Sequence, residues 1–312
     1  MSFFIQCFWL IAKGIFLWMG LGACITAATG IDSDRIGKIL RWGVVHFLYP
    51  ILIFYSVVDG LNPESFGRLY LYPIWALAFL VIGHVSSLLF APLWGIRDAH
   101  PVYHFGNSIQ NFGYIVFALA EPLIGKEALA EVFIFVVGTE MVVWSWGVAT
   151  VGRTRFFSPQ TLLNPPLIAC VVALIAVYFD VRVSENLFWQ IAGFTKTLMV
   201  PVALSCVGGL VYHVAVETKL KGIIDREIIS SLVLRHSILP LILAGFIYSL
   251  TSPGNLRSNL LLEAAMPSAL VPLVLAKIYG APTHKIGVFV SLSNIIALVT
   301  LPFWLTVFQF GK

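Results

Sequence analysis

Windows of about twenty apolar residues recur so densely along this chain that little is left over for water-facing structure. They fall at about 8–29, 36–58, 68–94, 101–124, 128–151, 162–179, 186–212, 227–250, 258–279 and 283–309. Of 312 residues, 59% are hydrophobic and only 11% charged, more apolar surface than a soluble domain of this length can bury. In hydrocarbon each backbone N–H and C=O must find its partner within the protein, so the spans are expected to be helices. The expected fold is therefore an all-α polytopic membrane protein with ten spans and short connections. Phe3 to Gly22 runs on as a full-length first span without a basic leader, and is expected to stay in place.

Two of these windows are interrupted. The fourth contains Gly106-Asn107-Ser108-Ile109-Gln110-Asn111-Phe112-Gly113-Tyr114, and the ninth Glu263-Ala264-Ala265-Met266-Pro267-Ser268-Ala269-Leu270-Val271-Pro272. Pro267 and Pro272 each remove an N–H and crowd the preceding turn. In the fourth span the break is expected at Gly106 and Gly113, with Asn107, Ser108, Gln110 and Asn111 capping the frayed ends. Discontinuous helices at corresponding places in two halves mark a transport site near the bilayer midplane.

The halves do correspond. Tyr49-Pro50 answers Val200-Pro201, and Leu119 to Gly125 answers Val274 to Gly280, at an offset of roughly 151 to 155 residues. Five spans per repeat is an odd number, so the copies 1–155 and 156–312 are expected to enter the membrane with opposite orientations. Orientation follows from Lys and Arg. The odd-numbered loops hold Arg35, Lys38, Arg41, Arg97, Arg153, Arg155, Lys219, Lys221, Arg226 and Lys285, against Arg68, Lys126, Arg182 and Arg257 in the even-numbered ones. The odd loops are expected in the cytoplasm and both termini outside.

Helix N-termini at a crossing present free N–H groups and partial positive charge, suited to a carboxylate. Asn107, Ser108, Asn111 and Gly113 from the fourth span, with Pro267, Ser268 and Ala269 from the ninth, are the candidate substrate-binding residues. The plainer alternative is a kinked ninth span, with the amides of the fourth acting as interhelical glue. Glu263 precedes the second break and reads either as a coupling group for H⁺ or Na⁺, meeting Ser108 or Asn107 across the crossing, or as the partner of Arg257. Ser108 is the accompanying candidate Na⁺ ligand. Glu140, midway along the fifth span, is the second candidate ion-coupling carboxylate. His84 and the pair Arg235-His236 read as groups that relay protons or balance substrate charge, with a satisfied core residue as the plainer reading of a lone histidine. Phe47, Tyr49, Phe54 and Tyr55 read either as pocket lining, with Tyr55 as a substrate contact, or as packing.

Met266-Pro-Ser-Ala-Leu-Val-Pro272 followed by Ala276-Lys277-Ile-Tyr279 resembles the ninth helix of the auxin efflux carrier family. Asn111, fourteen residues before Gly125, and Asn164-Pro165-Pro166 opening the sixth span are similar to that family as well, as is the stretch from Trp144 to Arg155. The resemblance implies a fold akin to bile-acid sodium symporters. Spans one, two, six and seven would be a scaffold, and spans three to five and eight to ten a transport domain moving as an elevator. Gln110 and Ala118 stand where plant members carry proline near the fourth-span crossing. The long central loop of the plant exporters is replaced by about ten residues after Val151. The chain thus resembles the short bacterial form, which implies a bacterial inner membrane as its location and small carboxylates such as malate or malonate as substrates. Glu263, three residues before Met266, is similar to the sodium-site glutamate of the symporters.

The expected function is secondary transport of a small organic anion by alternating access. A Na⁺-coupled symporter-like carrier and an anion channel are the alternatives. No HExxH, GxSxG, paired-Asp or ATP-binding loop is present, so an enzyme or a primary pump is not expected. No cofactor is expected beyond the coupling ion. The bilayer and a second copy of the chain are the candidate partners, and no basic arm points to nucleic acid.

Overall fold

A computed structural model describes residues 3–30, 42–152, 164–217, 225–308 and 310. Among these residues the helices run, in chain order, α1 (Phe3–Thr29), α2 (Val44–Gly60), α3 (Pro63–Trp94), α4 (Pro101–Ser108), α5 (Tyr114–Leu123) and α6 (Lys126–Gly152). They continue as α7 (Pro165–Tyr178), α8 (Leu187–Glu217), α9 (Arg226–Leu250), α10 (Asn255–Ala264), α11 (Val271–Tyr279) and α12 (His284–Val307). Six of them, α1, α3, α6, α8, α9 and α12, are long and apolar enough to cross a membrane. α2 and α7 are shorter apolar helices, and the fourth and ninth windows hold the paired short helices α4/α5 and α10/α11. The protein is an integral membrane protein. Of the cations behind the orientation argument, Arg35, Lys38, Arg41, Arg153, Arg155, Lys219 and Lys221 lie outside the described residues.

Helix starts follow local chemistry. Asn164 accepts from the Leu167 N–H at 2.8 Å, and Pro165 occupies the first helical position, where its missing N–H is no loss. Asp225 caps α9 through the Ile228 N–H at 3.1 Å. Asn62 and Ser65 close a reciprocal cap at the start of α3.

α8 packs along α1, α7 along α2, and α3 along α6. The α1–α8 contact depends on glycine: a Cβ added to Gly208 would sit 1.9 Å from the Met19 carbonyl oxygen, and one on Gly22 equally close to that of Ser205. Without a hydrophobic drive between helices in lipid, such close backbone approach is the main source of cohesion. Gly106 belongs to the same class. α4 continues through it to Ser108, and its face lies against Ile286 of α12, whose Cδ1 an added Cβ would meet at 2.4 Å. The break expected at Gly106 therefore falls later, at residues 109–113.

Within α9 the turn Leu234–Ile238 is widened, just before Pro240. Proline has no N–H for the carbonyl four residues back. The His236 carbonyl is taken instead by the Trp304 indole N–H of α12 at 2.8 Å. The distortion presents Arg235 and His236 to the protein interior, where both are buried.

Candidate functional site

The two breaks meet. Gln110 and Ser268 form an antiparallel bridge, with the Asn111 N–H donating to the Pro267 carbonyl at 2.6 Å and the Ala269 N–H to the Ile109 carbonyl at 3.1 Å. A pair of strand-like segments thus replaces the helical hydrogen bonds lost at each break, which is how irregular backbone survives at membrane depth. Side chains lock the junction further. The Ser268 hydroxyl donates to the Gly106 carbonyl at 2.9 Å, and the Ser268 N–H donates to the Ser293 hydroxyl at 2.9 Å. Asn294 of α12 is fully buried; its amide donates to the Ser268 carbonyl at 3.1 Å and its side-chain oxygen accepts from the Asn111 amide at 3.3 Å.

Beyond the junction, α5 and α11 begin on the wall of one cavity of about 480 Å³. Asn111, Gly113 and Tyr114 line it from one break, and Ala269, Leu270 and Val271 from the other. The first intrahelical bonds are Phe117 N–H to the Gly113 carbonyl and Val274 N–H to the Leu270 carbonyl. The N–H groups ahead of them in each first turn have no acceptor within their helix. The Gly113 N–H is held at 3.4 Å from the Asn111 side-chain oxygen, a local turn bond just ahead of α5, while the Asn111 amide faces Asn294. Most of the remaining wall is apolar and aromatic, including Val45, Tyr49, Val143, Trp144 and Val207. Glu140 borders the same space and accepts from the Asn164 amide at 3.0 Å.

A second cavity, of about 540 Å³, lies toward the opposite ends of α2 and α6. Tyr55, Asp59, Glu121, Lys126 and Lys196 line it. Two ion pairs flank it, Lys126–Asp59 at 3.0 Å and Lys196–Glu121 at 2.7 Å. Tyr49 lines the first cavity and Phe117 the second. Their rings, 5.6 Å apart, and Phe133, 4.6 Å from Phe117, form the partition between the two.

The structure thus separates the residues grouped by sequence. Asn111, Gly113, Ala269 and Glu140 share the first cavity. Pro267 and Ser268 are buried in the junction itself, and Tyr55 belongs to the second cavity, beneath the Lys196 ammonium at 5.5 Å from its ring. Asn107 and Ser108 turn away from the crossing. The Asn107 amide donates to Ser87, Ser231 and the Tyr103 carbonyl, and the Ser108 hydroxyl donates to the His104 carbonyl and contacts His84. Glu263 is fully buried and meets neither Ser108 nor Arg257; Arg257 instead donates to the Thr251 carbonyl. The polar neighbours of Glu263 are the Gln110 amide and the Arg235 guanidinium. His236 is a satisfied core group, between the Thr300 and Ser293 hydroxyls at 2.9 Å each.

Sequence reasoning missed Asn294, although an amide between Ser293 and Ile295 in an apolar helix was a visible signal. It also missed Glu131 on α6, which is fully buried and accepts from Arg68 at 2.9 Å, Tyr72 at 2.6 Å and Asn259 at 3.3 Å, tying α3 and α10 to α6. Among the described residues no three His, Cys, Asp or Glu side chains gather as a metal site.

A sequence profile of the family described as membrane transport protein matches residues 150–305, half of the chain, including the second break. The chain belongs to the auxin efflux carrier family. Similar proteins agree along nearly the full length. An uncharacterized transporter of Methanothermobacter thermautotrophicus is 25% identical over 290 residues, covering 90% of this chain and 92% of its own. An uncharacterized transporter of Methanocaldococcus jannaschii is 21% identical over 285 residues, 88% of this chain and 91% of its own. The carrier is a membrane transporter and not an enzyme, and the broken pair α4/α5 and α10/α11 is its most distinctive architecture.

Proposed function

We propose that this carrier moves a small organic anion, a carboxylate, by alternating access centred on the crossing of the two broken segments. One observation carries the reading: two half-helices, α5 and α11, start on the wall of the same cavity with first-turn N–H groups unclaimed within their helices. An anion placed there gains from both helix dipoles, each worth about 0.3–1 kcal/mol at exposed sites and more where water is scarce. Asn111 supplies a side-chain amide beside them, and the apolar wall from Tyr49 to Trp144 suits the carbon body of the solute. Glu140, on the same wall, is the group proposed to carry a coupling proton.

The ten expected spans are proposed to form the inverted repeats 1–155 and 156–312. α1, α2, α7 and α8 would be the stationary scaffold, and α3–α6 with α9–α12 the mobile domain. Support comes from the paired cavities divided by Tyr49, Phe117 and Phe133, and from the ion pairs Lys126–Asp59 and Lys196–Glu121. Both pairs join a scaffold helix to a mobile one on the side of the second cavity. With the termini outside, the first cavity faces the cytoplasm.

A thermal-shift screen of carboxylates on purified protein, followed by counterflow in proteoliposomes, tests this. A carboxylate that raises Tm should also show saturable counterflow, and Asn111→Ala should weaken both measurably while the protein stays folded. Unsaturable conductance would replace the carrier by a channel, and unchanged affinity in Asn111→Ala would remove that residue from the site.

A further inference from the structure

We propose that Arg235 is a tethered cation built into the crossing, occupying the place on the broken helix where a coupling Na⁺ would otherwise bind. The broken segment starts with α10. Its end at Ala264 leaves carbonyl groups without helical partners, and the aligned peptide dipoles concentrate partial negative charge there. The Pro267 carbonyl is claimed by the Asn111 N–H of the opposing break. The Met266 carbonyl is claimed by Arg235, which donates from both Nε, at 2.9 Å, and Nη2, at 2.8 Å.

One turn earlier stands Glu263, with no exposed surface and with neither carboxylate oxygen in a hydrogen bond to a described residue. A buried carboxylate beside a frayed C-terminal carbonyl is a hard-oxygen niche that favours a nearby positive charge. Unwound carbonyls and half-helix C-terminal ends are the places where discontinuous transporter helices take their coupling cations. Here the guanidinium lies at that place, 1% exposed and bonded to the Met266 carbonyl, with the buried Glu263 one turn earlier on the same broken segment. Its delivery is local: the widened turn Leu234–Ile238 swings Arg235 inward. A planar fork putting two donors on one carbonyl suits guanidinium better than an ammonium. The adjacent His236 is occupied by two hydroxyls and takes no part in the niche.

The junction is therefore charge-complete without an alkali cation, and Arg235 acts as a positioning residue that holds the Met266–Ser268 segment in register with Ile109–Asn111. The inference builds on the crossing as the transport centre. Its test reads cation binding to substrate-free protein, so its failure leaves anion transport standing.

The measurement is Tm of the purified carrier in detergent, with NaCl or KCl exchanged against choline chloride at constant ionic strength. Wild type is expected to show no Na⁺-specific shift. Arg235→Ala should lose several degrees, and millimolar guanidinium or Na⁺ should restore them saturably, as mass action requires of a ligand that binds the folded state. The double variant Arg235→Ala/Glu263→Gln should show no such rescue. Arg235→Lys keeps the charge and, should the alanine variant not fold, is expected to remain indifferent to Na⁺. A saturable Na⁺-specific rise in wild type or in Arg235→Lys overturns the proposal. So does an Arg235→Ala protein that matches wild type in Tm, or a rescue that survives loss of the Glu263 charge.

Discussion

Replacing Asn294 by alanine probes how the crossing positions Asn111, its proposed binding group. Asn294 is fully buried and makes three contacts: its amide donates to the Ser268 carbonyl at 3.1 Å and the Val290 carbonyl at 2.9 Å, and its oxygen accepts from Asn111 at 3.3 Å. The Val290 carbonyl lies one helical turn earlier and keeps a backbone N–H of α12 as its donor, so its loss is small. The Ser268 carbonyl sits in a fully buried residue and loses its donor, a cost of about 1–3 kcal/mol in water-soluble cores. Interhelical hydrogen bonds in membranes average nearer ~0.6 kcal/mol, which brings the expected loss of stability to about 1–2 kcal/mol. Asn111 borders the cavity, so its released amide finds water or substrate and adds little to that figure.

The effect on binding is separate. Freeing one ordered side chain costs about 0.5–1.5 kcal/mol on association, which raises Kd roughly two- to tenfold. Stability is measured by unfolding in mixed detergent micelles. Affinity is measured for the carboxylate that shifts Tm most in the screen. Because Asn294 acts on binding through Asn111, the double variant Asn111→Ala/Asn294→Ala should bind no worse than Asn111→Ala alone. Losses that simply add would refute the coupling, as would an Asn294→Ala protein with wild-type stability and affinity.

Gly208→Val should separate α1 from α8, since even a Cβ would lie 1.9 Å from the Met19 carbonyl oxygen; a loss of about 1–3 kcal/mol is expected in the same unfolding assay. Arg68→Ala leaves the buried Glu131 with Tyr72 and Asn259 among the described residues, and should cost about 1–3 kcal/mol, while Arg182→Ala, on an exposed pair with Asp180, should change stability little. Partial burial alone would raise the Asp225 carboxyl, but the Lys285 ammonium and the Ile228 N–H outweigh it and hold the group below the ordinary aspartate value. A depressed folded value means stability present above the unfolded value, about 3.9, and lost as pH falls through the folded one. Asp225→Asn, which keeps the cap, should therefore flatten the acid limb of a Tm-against-pH curve.

Much of this protein was legible from residue order because lipid leaves few choices. An apolar window must become a helix, a proline must free the carbonyl one turn back, and Asn164-Pro165 must start α7. Asn111 and Ala269 were legible for the same reason: each is adjacent to a break that lipid forbids unless it is paired. Composition and the positions of Pro267, Gly113 and Glu263 thus determined a membrane protein with two fractured segments. What joins those segments depended on contacts distant in sequence. Only the tertiary structure brought Asn294 beneath Asn111, turned Asn107 and Ser108 toward α3 and α9, moved Tyr55 to a second cavity and set Arg235 on the Met266 carbonyl. A helix's pattern of residues shows which groups need partners, but the side chains that meet that need are decided by which faces pack together, and in lipid that choice rests on close-fitting shapes such as Gly22 against Ser205 and Gly208 against Met19.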